Sequence, residues 1–282
     1  MKKIAIALLH GSGRAEDHRH AAGIQEEIVE RAKKEIGEEN AQQGLVFEAI
    51  NWAPAFGTAH DDLWFRLREG PELSFLDLRR FMLYFAADAI AYQPMPGGQD
   101  KYQAIHTMVA AGFKSLAERA GDDAALCIVA HSLGTVIASN YLWDLQRGRV
   151  PAAVAPHIGT SPLERGDTLA LLFTMGSPLA LWSLRYPDFG EAIAFPAPEL
   201  EKHHPRVWTE WVNFFDKDDI LGYPVQTLNE GYRRIVVDRE VNAGGFLWGR
   251  TPASHGKYWE DKEIARYVAG SLSHLFLGLN EE

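Results

Sequence analysis

The sequence predicts an α/β protein, a three-layer αβα sandwich with a mostly parallel central sheet. Three observations carry that expectation. Short continuous apolar runs, IAIALL at 4–9 and ALCIVA at 125–130, read as strands buried on both faces, the pattern of a sheet centre. Helical patterns alternate with such runs along the chain, as they do in repeated βαβ units. The length of 282 residues, with 46% hydrophobic and 23% charged residues, fits one large domain with a real core, so 1–282 is read as a single domain.

Taken in order, the first strand covers 3–9, and a helix follows from Asp17 with Ile24, Ile28, Ala32 and Ile36 four apart and Gly37 as its stop. A second strand covers 45–50. Residues 51–98 are dense in Trp, Phe, Leu and Arg and hold one or two helices, such as 75–87, before the breaker Gln93-Pro94-Met95-Pro96-Gly97-Gly98. This stretch is the expected cover, or lid segment, of the domain. A helix over 102–120 leads to the apolar strand 124–130, then a helix over 133–146 that ends at Gly148. Strands follow over 168–175, 207–215 and 234–237. A closing helix over 260–276 places Ile264, Val268, Leu272 and Phe276 on one face.

Charge and cysteine content narrow the function classes. A formal net charge of -10 lacks the positive field that nucleic acid or an anionic membrane requires, so neither is an expected partner. The single cysteine, Cys127, lies in an apolar run and reads as a buried, inert thiol. Met1-Lys2-Lys3 and the apolar residues after it mimic a signal peptide. The stretch is short, though, and His10-Gly11 follows at once without a small-residue cleavage site, so a buried strand fits better. No apolar run approaches membrane-spanning length, and a cytoplasmic protein without a transmembrane segment is expected.

The sharpest chemical signal is Ala130-His131-Ser132-Leu133-Gly134, placed between an apolar strand and a helix. A strand–turn–helix this tight strains the backbone of its central residue and lifts that side chain clear of the sheet. Ser132 is the expected nucleophile. The residues two before and two after must be small, because strand and helix nearly touch there, and Ala130 and Gly134 are small. The helix N-terminus favours an oxyanion, with the Leu133 N–H as one donor. His131 is expected to leave the turn in another direction. The turn His10-Gly11-Ser12-Gly13 follows the first strand and supplies the second donor, assigned to the Ser12 N–H with Gly11 as the alternative. His10 is expected to brace that turn.

Trp211 to Phe215 runs into the acidic loop Asp216-Lys217-Asp218-Asp219. A carboxylate here orients an imidazole. Asp218, three past the strand end, is the first choice, with Asp219 and then Asp216 as alternatives. Ser254-His255-Gly256 precedes the closing helix, and His255 is the expected general base, its imidazole titrating near working pH. The order Ser132, Asp218, His255 matches the nucleophile–acid–base order of hydrolases built on this elbow. Other histidines read as bland. His18 with His20, and His203 with His204, show no third ligand at metal-binding spacing, so no metal and no other cofactor is expected. His60, beside Asp61 and Asp62, reads as surface.

Together the HGSG turn, the AHSLG elbow, Thr174-Met175-Gly176-Ser177-Pro178, NFFDKDD and SHGKYW resemble the α/β-hydrolase superfamily over nearly the whole chain. The shape is most similar to lipase and esterase members, including the GPI inositol-deacylase-like group. The resemblance implies hydrolysis of a small-molecule or lipid carboxylic ester through an acyl-enzyme. Acyl transfer on the same triad and a non-catalytic ligand-binding role are the alternatives. Two departures stand out: Ala130 replaces the commoner glycine, and the chain starts at the strand bearing HGSG, so the first hairpin of that fold is missing and about six strands remain. Substrate contacts are expected from Gly11, Trp64, Phe246 and Trp248, within an apolar pocket walled by aromatic residues of 51–98 such as Trp52, Phe56, Phe65, Phe81 and Tyr84.

Overall fold

The computed structural model describes residues 1–11, 15–57, 59–93, 101–184, 191–245 and 252–281. In chain order, β1 (Ile4–Leu9) leads into the helices α1 (Ala15–Ile36) and α2 (Glu38–Gly44), and β2 (Leu45–Ile50) follows. The cover then supplies α3 (Ala59–Arg68) and α4 (Leu76–Ala91) before α5 (Lys101–Ala120). β3 (Ala125–His131) turns directly into α6 (Leu133–Arg147). β4 (Leu169–Met175) precedes the short α7 (Leu179–Ser183) and α8 (Leu200–His203), and then comes β5 (Glu210–Phe215). The last elements are α9 (Glu230–Ile235), β6 (Val236–Glu240) and α10 (Lys262–Asn280).

The six strands form one parallel sheet in the order β2-β1-β3-β4-β5-β6. β1, β3 and β4 lie inside it and every residue of each is buried, which is why their sequences are apolar runs without alternation. β2 is one of the two edge strands, with β6 the other, and alternation returns there, with Leu45 and Phe47 buried and Val46 and Glu48 partly exposed. α1 packs on α10, and α5 on α6. Right-handed crossovers put the two pairs on opposite faces of the sheet. The closing helix aims Ile264, Val268, Leu272 and Phe276 into the core, as its spacing predicts.

Two local differences from the sequence reading have physical causes. Glu38–Gly44 is helical although only Ala41 and Gly44 are buried, so no apolar stripe announces it. The last strand begins at Val236 rather than Arg234, because Asn229 caps a helical turn over 230–235 by accepting from the N–H groups of Gly231 and Tyr232. No helix among the described residues is long and apolar enough to cross a membrane.

The strand order fixes where a ligand site belongs. The chain winds from β1 outward to β2, then returns past β1 to β3 and continues the other way. Such a reversal opens a crevice beyond the carboxyl ends of the two central strands. Gly11 follows β1 and Ser132 follows β3, so both stand at that crevice.

Candidate active site

Ser132 sits alone between β3 and α6 with φ 51° and ψ -126°. A non-glycine residue there carries about 1–3 kcal/mol of backbone strain, which persists only where the surroundings over-determine it. Here they do. The Ser132 N–H donates to the Met175 carbonyl at 2.9 Å, and its own carbonyl accepts from the Thr135 hydroxyl at 2.7 Å. The tightness shows at Gly134, where a Cβ would stand 2.5 Å from the His10 carbonyl oxygen and 2.6 Å from that of Leu9. No side chain fits between α6 and β1. Ala130, by contrast, is fully buried with its extra methyl accommodated.

The turn aims the hydroxyl at an imidazole. Ser132 Oγ and His255 Nε2 are 2.7 Å apart, although 123 residues separate them in sequence. On the far side of the ring, Nδ1 lies 2.8 and 2.9 Å from the two oxygens of a carboxylate. That geometry makes Nδ1–H the donor and leaves Nε2 to accept the serine proton.

The carboxylate is Asp219, not Asp218. Residues 216–219 form a turn closed by the Asp219 N–H on the Asp216 carbonyl at 3.0 Å. Lys217 and Asp218 are spent at its tip, and the chain returns inward at Asp219. Counting outward from the strand end therefore lands one residue short. Asp218 is partly exposed and faces away with Lys217 and Glu240, while Asp219 is buried. Asp216 is buried too, but its carboxylate accepts from the Asp218 and Ala243 N–H groups at 2.9 and 2.8 Å, tying the turn to the chain beyond β6. An Asp opening a turn, with a second Asp three residues on, was the sequence signal for the correct residue.

The electrostatics of the pair are settled by hydrogen bonds. Burial alone pushes the Asp219 carboxyl up, but donation from His255, from the Leu221 N–H at 2.9 Å and from the Tyr258 hydroxyl at 2.9 Å outweighs it, so the group is held below its ordinary value. Asp216 goes the other way, raised by burial despite its two backbone donors.

His131 leaves the elbow in a different direction from Ser132, as its sequence position implies. Its Nε2–H donates to the His255 carbonyl at 2.8 Å, and its ring lies 4.9 Å from the His255 ring and 5.4 Å from that of Tyr258. It steadies the loop that carries the base. His10 braces the neighbouring turn through Trp52: the rings stack at 4.5 Å and 4°, the Trp52 N–H donates to His10 Nε2, and the indole N–H donates to the His10 carbonyl.

Gly11 packs directly on Ser132, since a Cβ there would stand 2.7 Å from both Ser132 Cβ and His131 Nδ1. Ser12, expected as an oxyanion donor, lies outside the described residues. Leu133 is the first residue of α6, where a backbone N–H has no partner four residues back. Of the expected substrate contacts, Phe246 and Trp248 also lie outside the described residues. Trp64 is buried on α3, and the ring that reaches the triad belongs instead to Phe81 of α4, 5.1 Å from the imidazole. Phe65 is 65% exposed and lines nothing. His60 is not a surface residue. It sits between the tilted rings of Phe56 and Tyr84, lies 3.5 Å from the buried Asp88, and burial lowers its pKa.

Cys127 is buried, and burial pushes its thiol well above the ordinary range, so it stays an unreactive thiol. The cover reaches the site through Phe81, and Ser132 and His255 are each only 2% exposed. No family model, curated protein or solved structure matches this chain.

Proposed function

We propose that the protein is a serine hydrolase of the α/β-hydrolase superfamily that cleaves carboxylic esters through an acyl-enzyme intermediate. One observation carries the reading: a strained serine, an imidazole and a buried carboxylate in hydrogen-bonding series, at 2.7 Å from Ser132 to His255 and 2.8 Å from His255 to Asp219. Ordinary packing has no use for that series at the crevice where the winding of the sheet reverses.

The chemistry follows from the geometry. His255 Nε2 takes the Ser132 proton as Oγ attacks the ester carbonyl. Asp219 stabilises the imidazolium that forms. The developing oxyanion is met by the Leu133 N–H at the head of α6 and by a second N–H from the turn after β1, where Gly11 lies against the serine. One such donor contributes about 3–4 kcal/mol to the transition state. His255 then protonates the departing alcohol and activates water to release the acid.

Residues 51–93 act as the lid in this reading. Phe81 rests on the imidazole, so α4 must shift for an ester to reach Ser132. The same apolar roof excludes water and favours the second reading, acyl transfer to an alcohol acceptor. A fluorophosphonate probe tests the first step: wild type takes one label on Ser132, and Ser132→Ala takes none. Nitrophenyl esters of graded chain length then read the acyl preference, and products formed with added alcohols separate hydrolysis from transfer. A wild-type protein that takes no label ends the proposal.

A further inference from the structure

Tyr258 lies three residues beyond the base and is fully buried against the acid. Its hydroxyl has two partners. The Asp216 N–H approaches it at 2.9 Å, and Asp219 Oδ2 lies 2.9 Å away. A backbone N–H only donates, so the phenol oxygen accepts from Asp216 and its own proton is left to point at Asp219. The direction of the bond is therefore fixed by connectivity. The space around it is equally fixed: a Cβ on Gly222 would stand 2.4 Å from Asp219 Oδ2 and 3.0 Å from the Tyr258 hydroxyl. Burial and the Asp219 charge push the phenol far above its ordinary range, so it remains a donor at every working pH.

We infer that Tyr258 is a positioning residue that sets the proton affinity of the Asp219–His255 pair by drawing charge from the carboxylate oxygen it bonds. The inference rests on the triad reading but is not exhausted by it. Asp219 Oδ2 is shared between two donors that sit on one loop, the His255 ring and the Tyr258 hydroxyl. The phenol therefore does two things. It pins the loop to the acid on either side of Gly256, and it weakens the carboxylate's pull on the imidazole proton. Loss of the hydroxyl returns charge to Asp219, stabilises the imidazolium and raises the pKa of His255.

The groups facing His255 leave few other controls. From the acid turn comes Asp219, with Asp216 behind the Tyr258 hydroxyl. From the end of β3 and the elbow come His131 and Ser132, and from α4 the uncharged Phe81 ring. Among the described residues, Tyr258 and the backbone N–H of Leu221 touch the carboxylate without touching the imidazole nitrogens, and of the two only the Tyr258 donor belongs to a side chain.

The test is the titration of His255, followed by NMR of its ring C–H in carbon-13 histidine-labelled full-length protein and assigned with His255→Gln. Tyr258→Phe should raise the His255 pKa by about half a unit to one unit. The acid limb of the fluorophosphonate labelling rate should move up by the same amount. A fluorinated tyrosine incorporated at 258, a stronger donor of nearly the same shape, should move both the other way. A merely structural tyrosine would change thermal stability and leave the titration in place. A His255 titration unmoved in both variants overturns the inference, and if Tyr258→Phe does not fold, the fluorinated protein alone decides it. Wild type that shows the titration shifts yet takes no label would refute the hydrolase reading while leaving the Tyr258 coupling standing.

Discussion

The triad and the cover that closes it are built on opposite principles. Around Ser132, His255 and Asp219 the polar atoms are held by bonds from four separate stretches of chain: the end of β3 with the elbow, the end of β4, the acid turn and the loop that carries His255. In the cover, α4 mixes apolar residues with Asp77, Arg79, Arg80 and Asp88. Phe81 and Phe85 face inward, while Leu76, Met82 and Ile90 face out, with Ile90 at 73% exposure and Phe75, just before the helix, at 79%. Large apolar side chains are thus left in solvent on its outer side. The site is rigid by over-determination, and access to it is assigned to an element held by a few ring contacts. Catalysis needs the first property and substrate entry needs the second.

Removing the nucleophile is the largest perturbation that separates the two regions. Ser132→Ala should lower turnover of an activated ester by about 10⁴-fold or more, while leaving the fold intact. The backbone strain at 132 stays in the variant, because alanine also carries a Cβ, so the thermal midpoint should remain close to that of wild type. A variant that retains more than a few per cent of wild-type turnover would place the nucleophile elsewhere.

The acid turn offers a sharper contrast between adjacent residues. Asp219→Asn should cost about 10³–10⁴-fold in turnover, because the imidazole loses both its tautomer control and its counter-charge. Asp218→Asn, at the exposed tip of the same turn, should stay within about twofold of wild type, the ordinary range for a surface change. Equal losses in both would contradict the geometry of the turn. The same pair gives a pH signature. Asp219 is held below its ordinary value of 3.8, so it contributes stability above that pH which is lost as pH falls through the lower, folded value. The melting temperature of wild type should therefore fall towards that of Asp219→Asn as pH drops from about 5 to about 3. A gap that widens on acidification would reverse the sign of the shift.

How much of this was legible in the sequence follows the same division. β1, β3 and β4 were readable because a strand buried on both faces has to be apolar throughout, and Ser132 because the elbow demands Gly134 at a fixed spacing. His255 followed from chain order. Asp219 was missed by one position: a turn redirects the chain within two residues, and counting from a strand end cannot see that. Trp52 and His131 were recognisable as residue types but not as braces, since stacking on His10 and donation to the His255 carbonyl join stretches 42 and 124 residues apart. The contact between cover and triad was the least legible of all. Of six aromatic residues of 51–98 the sequence reading put Trp64 first, and only the tertiary packing selects Phe81.

That residue yields the most direct probe of the contrast, with an effect far smaller than removal of Ser132 or Asp219. Phe81→Ala removes the ring that stands 5.1 Å from the imidazole and leaves every triad hydrogen bond in place. If the cover only gates entry, labelling by a small fluorophosphonate should speed up a few-fold, because less apolar contact has to be broken to open the site. Turnover of a long-chain ester should fall, because the same ring would have packed on its acyl chain. Comparing the two rates on one variant separates gating from substrate contact. A loss of both in equal measure would mean that α4 holds His255 in place, and the cover would then belong to the rigid region rather than stand against it.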